Sequence, residues 1–129
     1  MPVLQTRPLI GHIDCTVTRD GDNLLVSFEG AVDFYTAGTA KKLLLDLLDY
    51  EPAGMTIDTR DAFIDSSGIG VFVQVAQRAR LERREFRLLC DERLAPILRL
   101  HKLDDVLGIG RVARAPALER FQRNHRIAA

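Results

Sequence analysis

Along residues 13–18 apolar and polar side chains alternate, and residues 24–28 continue in an extended, apolar pattern. Between them lie Asp20, Gly21, Asp22 and Asn23, all turn formers, so the first half of the pattern predicts a β-hairpin after a loose N-terminal arm. Gly30 is read as the end of the second strand, with Asp33 or Thr36 as the cap of a helix over residues 37–50. Leu43, Leu44, Leu47 and Leu48 recur there at helical spacing, which places them on one face and leaves Lys41, Lys42, Asp46 and Asp49 toward water.

Pro52 and Gly54 break this helix. Residues 55–59 (MTIDT) then read as a short buried strand leading through Arg60, Asp61 and Ala62 into the segment FIDSSGIG. A second helix over residues 67–82 carries Ile69, Phe72, Val73, Ala76 and Ala79 inward, with arginines gathered at its C-terminal end where the helix dipole favours them. Residues 86–90 form another strand. Asp91 precedes a third helix, which Pro96 either kinks or confines to a start near Ala95. A short strand near Val112 and a last helix opened by Pro116, with Leu118 and Phe121 on one side, complete the order. Strands that alternate with amphipathic helices need crossover connections, so the fold class is α/β: one mixed sheet of about five strands with about four helices.

Composition narrows the function. The chain has 129 residues, enough for one domain that folds without disulfides or metals, and it is 47% hydrophobic and 28% charged. Eighteen basic residues balance eighteen acidic ones, so no global field draws the protein to nucleic acid or to an anionic membrane. Its start lacks a signal-peptide core, and no apolar run is long enough to span a bilayer; a cytoplasmic protein without membrane insertion is expected. Cys15 and Cys90 sit in strand-like segments without metal or redox spacing, and are read as reduced core fillers. The three histidines are scattered, so neither a metal nor a cofactor is expected. Residues 111–129 hold five arginines against Glu119, a pattern that reads first as a solvated helix face or tail.

The chemistry concentrates in Asp65-Ser66-Ser67-Gly68-Ile69-Gly70, where a strand turns into a helix. A helix N-terminus offers unpaired N–H groups and positive partial charge, so a phosphate on a hydroxyl there is compatible with the fold. It would add about 1.5 to 2 negative charges beside Asp65 and Asp33, repelling any partner docked on that surface by apolar or acidic contact. Ser66 also reads as a simple helix cap, and Asp33 likewise. A nucleotide-cradling loop lacks its GxxxxGK[ST] pattern, and a serine hydrolase lacks both GxSxG and a placed histidine base, so catalysis is not expected. Phe34, Tyr35, Ile69 and Phe72 flank the segment; most are core by default, and one or two exposed there would serve as contact anchors.

The residues DSSGIG, between an apolar strand and an apolar helix, resemble the signature of the STAS family, specifically the bacterial anti-sigma factor antagonists. FEGAVDFYTAG is similar to the family's approach to its first helix: Gly30 and Asp33 match, and Ala31 departs from the usual acidic residue. LAPILRLHKLDDVLGI resembles the family's third helix and its return to the last strand. The resemblance divides the chain into an N-terminal arm (1–12), a STAS domain (13–122) and a basic C-terminal tail (123–129).

The resemblance implies a partner-switching cycle in the regulation of transcription under stress. The unphosphorylated protein would bind an anti-sigma factor that is also a serine kinase and so free its sigma factor. Phosphorylation at Ser66, with Asp33, Asp65, Ser67 and Gly68 as its neighbours, would release the complex, and a metal-dependent serine phosphatase would reset it. The alternatives are a constitutive STAS adaptor in a signalling scaffold or transporter complex, and a small nucleotide-binding protein.

Overall fold

The computed structural model describes the backbone of residues 3–8 and the backbone and side chains of residues 13–109. Its elements run β1 (Val3–Pro8), β2 (Ile13–Asp20), β3 (Asn23–Val32), α1 (Ala37–Leu48), β4 (Gly54–Ile64), α2 (Ser66–Leu81), β5 (Glu85–Leu89), α3 (Ala95–Leu100) and α4 (Asp104–Leu107). Five strands form one sheet in the order β1-β2-β3-β4-β5. The first three are antiparallel, and β3, β4 and β5 are parallel, joined through α1 and α2 as crossover connections demand. The mixed α/β architecture expected from the pattern is present.

The hairpin forms where the turn residues place it. Asp20 pairs with Asn23, and Gly21 between them takes a positive φ of 61°, a conformation that costs glycine nothing. Ile13, Cys15 and Val17 on β2 and Leu24, Val26 and Phe28 on β3 are buried in one cluster with Leu43, Leu44, Leu47 and Leu48 of α1. Val71, Phe72, Val75, Ala76 and Ala79 of α2 complete that cluster, and the Phe28 and Phe72 rings lie 6.2 Å apart at its centre. The other face of the sheet also buries polar groups: Asp58 is 2% exposed and receives Arg60 Nε and Nη2 at 3.0 and 2.9 Å. Both charges of that buried pair are thereby hydrogen-bonded, without which burial would be costly.

Several expectations change. Residues 3–8, expected as part of a loose arm, form an edge strand paired antiparallel with β2. Gly30, at φ 98°, does not end β3; the strand continues to Val32 past a register shift between Ser27 and Glu29. β4 is eleven residues long and absorbs Arg60, Asp61 and Ala62, because pairing with β3 resumes at Asp61 and carries the extended chain on to Ile64, beyond the last pair with β5 at Asp58. α3 starts at Ala95 with Pro96 in its first turn, where proline loses no helical bond. A short helix, α4, stands where the pattern suggested a direct return to strand. The expected strand near Val112, the last helix from Pro116 and the basic tail lie outside the described residues.

Cys15 and Cys90 are free thiols. Burial, reinforced by the nearby Asp91, pushes the Cys90 thiol up to about 11, so it remains protonated near neutral pH. At the C-terminal end of α2, Arg78 is paired with Glu82, and Arg84 donates to the Pro52 carbonyl at 2.7 Å. The hydrogen bonds from Arg78 and Arg84 hold the Glu82 carboxyl below its ordinary range.

Candidate functional site

Two parallel strands, β3 and β4, end side by side: Ala31 pairs with Phe63 and Val32 with Ile64. Each then turns into a helix, so the β3–α1 turn and the β4–α2 junction become neighbours at the carboxyl end of the sheet. Outside the carboxyl ends of parallel strands is where α/β folds commonly place their sites.

At the β4–α2 junction the N-cap is Asp65, in extended conformation, with its Oδ1 accepting the Gly68 N–H at 3.1 Å. Its other oxygen, Oδ2, accepts the Phe34 N–H of the neighbouring turn at 3.1 Å. One carboxylate therefore caps α2 and ties it to the β3–α1 turn. Ser66 is the first residue of α2, one position earlier than the pattern suggested, because Asp65 takes the capping role that either serine also offered. Ser66 is exposed and Ser67 half-buried.

Asp33 performs the matching task one strand away. Its Oδ1 accepts the N–H groups of Tyr35 and Thr36 at 2.9 and 3.1 Å, a side-chain turn that prepares the start of α1. Thr36, the N-cap of α1, donates its hydroxyl to the Ala31 carbonyl at 2.8 Å and accepts the Asp33 N–H at 2.9 Å. The consecutive N–H groups of Phe34, Tyr35 and Thr36 are thus all held by carboxylates, the first by Asp65 and the next two by Asp33.

Gly68 has a packing role. A Cβ there would lie 2.4 Å from the Val32 carbonyl oxygen and 2.9 Å from Ile64 Cγ2, so only glycine lets the first turn of α2 approach the end of β3 this closely. Gly70 is different: a Cβ there would meet nothing within 4 Å, so no packing contact requires its lack of bulk.

The candidate contact anchors divide. Phe34 and Tyr35 are 74% and 81% exposed, with their rings edge to face 5.5 Å apart. Ile69 is half-buried. Phe72 is wholly buried against Phe28 and is unavailable to a partner, because the period of α2 turns it into the core. Phe63, 63% exposed on the last turn of the β4 pleat, joins the exposed aromatics and was not singled out from the sequence. Strand alternation was the signal for it: Ala62 points into the core, so Phe63 must point away.

A cavity of about 180 Å³ lies elsewhere, lined by Arg60, Arg87, Cys90, Glu92 and Arg99 among others, and no residue of the Ser66 segment lines it. Among the described residues no group of three or more His, Cys, Asp or Glu could hold a metal ion, and no helix is long and apolar enough to cross a membrane.

The model of the STAS domain matches residues 14–115. An anti-sigma-B factor antagonist of Listeria monocytogenes is 31% identical over 96 residues, which cover 73% of this chain and 84% of that protein. A protein of the same name from Listeria innocua matches equally. The crystal structure of an anti-sigma factor antagonist from Mycobacterium paratuberculosis superposes with a TM-score of 0.67 at 18% identity, over 74% of this chain and 82% of that one, a likeness of fold.

Proposed function

Because this chain belongs to the STAS domain family, we propose that it is an anti-sigma factor antagonist switched by phosphorylation of Ser66. The observation that carries this reading is the place of Ser66, exposed on the first turn of α2 beside the exposed Phe34. In the unphosphorylated state Phe34 and Tyr35, with Phe63 nearby on β4, offer apolar anchors to a serine-kinase-type anti-sigma factor in the cytoplasm, whose sigma factor is then freed. Aromatic residues at the centre of a docking surface are the kind that dominate binding energy.

The kinase transfers the γ-phosphoryl group of ATP to Ser66 Oγ. A new O–P bond forms, the bond to the β-phosphate oxygen breaks, ADP leaves, and the hydroxyl proton passes to the kinase. The product carries about 1.5 to 2 added negative charges on the docking surface, next to Asp65, and the complex separates. A metal-dependent serine phosphatase hydrolyses the ester and restores the hydroxyl. Asp33, Asp65, Ser67 and Gly68 keep Ser66 in place without reacting themselves.

Intact-mass measurement after incubation with ATP and candidate kinase-type anti-sigma factors from the same genome tests the proposal. One phosphate on the wild type, none on Ser66→Ala, and loss of kinase binding on phosphorylation are expected. Binding that persists with no phosphate transferred would replace the switch with a constitutive adaptor.

A further inference from the structure

Resting on that reading, we propose that Asp65 is the positioning residue that carries the charge placed on Ser66 to the aromatic turn: phosphorylation draws its carboxylate off the Phe34 N–H and frees Phe34 from the geometry a partner recognises. The geometry behind this is the division of labour among three adjacent backbone N–H groups. Tyr35 and Thr36 bond to Asp33 within their own turn, whereas Phe34 is held only from across the strand gap, by Asp65 Oδ2 at 3.1 Å.

Asp65 is the residue immediately before the phosphoacceptor, so its carboxylate meets the phosphate at the shortest range the chain allows. Both of its hydrogen-bond partners are backbone N–H groups, and no cation is paired with it among the described residues. The phosphate oxygens are themselves strong acceptors and compete for the N–H groups of the first turn of α2, including the Gly68 N–H that Asp65 Oδ1 now occupies. Repulsion and competition act on the same side chain. The bond to Phe34 yields first, since it lies on an exposed turn while Gly68 is buried.

The test uses the full chain with phosphoserine incorporated at position 66 during translation, so it needs no kinase and stands or falls separately from the identity of the enzyme that modifies Ser66. Amide exchange is followed by NMR in the wild type, the phosphoserine form and Asp65→Asn. Phosphoserine is expected to speed exchange of the Phe34 amide about tenfold, the change due to losing one charge-assisted bond, with Tyr35 and Thr36 unchanged. Asp65→Asn keeps one acceptor oxygen, which capping commits to Gly68, and places an NH₂ group opposite Phe34; without any phosphate it should loosen Phe34 alone. A Phe34 amide unmoved in either form would overturn the proposal. So would loosening spread evenly over Phe34, Tyr35, Thr36 and Gly68, which would mark Asp65 as a general support of the fold.

Discussion

The junctions after β4 and after β5 each turn a parallel strand toward a helix through an aspartate, and they use it differently. After β4, Asp65 spends both carboxylate oxygens on backbone N–H groups, those of Gly68 and Phe34. After β5, Asp91 spends its oxygens on one arginine: Oδ1 accepts the Arg93 N–H at 2.9 Å and Oδ2 the Arg93 Nε at 2.8 Å. Each junction is also tied to its neighbour strand, by an acid reaching the turn after β3 in the first case and by Arg93 Nη2 reaching the Arg60 carbonyl at 2.9 Å in the second. The first junction carries an exposed hydroxyl beside an acid with no paired cation among the described residues. The second carries its own counter-charge. Added phosphate at the first would meet repulsion that a guanidinium would cancel at the second, so the contrast favours the junction after β4 as the place for the proposed switch.

The largest expected effect attacks the packing beneath the first junction. Gly68→Ala would press a Cβ to 2.4 Å from a backbone oxygen that cannot rotate away, so α2 must shift from β3. A loss of about 3 kcal/mol in urea unfolding is expected, after allowance for alanine's better helix propensity. Were Gly68→Ala to unfold like the wild type, the first junction would not depend on this close approach.

Next in size is the pair Asp65→Ala and Asp91→Ala. Asp65 is a true N-cap with two bonds to backbone, and its loss should cost about 1 to 2 kcal/mol. Asp91 serves a turn whose following helix is capped by Leu94 with no side-chain bond, and its partner is an exposed arginine, so its loss should cost under about 1 kcal/mol. Chemical denaturation of the two variants side by side would erase the contrast if the two costs were equal.

The first junction was largely legible in the sequence, and for a physical reason: helix starts leave their chemistry in adjacent residues. Asp65, Ser66 and Gly68 stand within four positions, so a local reading reaches the cap, the exposed hydroxyl and the glycine. What it missed depends on partners distant along the chain. The bond from Phe34 to Asp65 spans 31 positions, and it exists only because β3 and β4 pair in one register. Phe72 stands among the candidate contact residues because it lies near Ser66 in sequence, yet its helical spacing already turns it inward, and it is buried. The length of β4 escaped for the same reason, since Arg60 and Asp61 look like a turn until β3 pairs with the chain from Asp61 onward. From β2 to α3 the order of strands and helices came from the hydrophobic pattern and its turn residues, whereas β1 and α4 did not. The fate of each exposed aromatic required the sheet.

The smallest effect probes the second junction by charge. The hydrogen bond from Arg93, more than the opposing burial, holds the Asp91 carboxyl below its ordinary value of 3.8. A carboxyl lowered on folding stabilises the fold above its unfolded pKa and ceases to as pH falls through its folded one. Arg93→Gln removes the cation, so the variant should melt slightly below the wild type at neutral pH, and the two melting curves should converge as pH drops below 3.8. The side chains are 69% and 35% exposed, so salt should shrink the gap as well. A gap that survived both acid and salt would mean that Arg93 acts through its hydrogen bond to the Arg60 carbonyl. The second junction would then be held, like the first, by a side chain on backbone, and the difference between them would rest on the exposed serine alone.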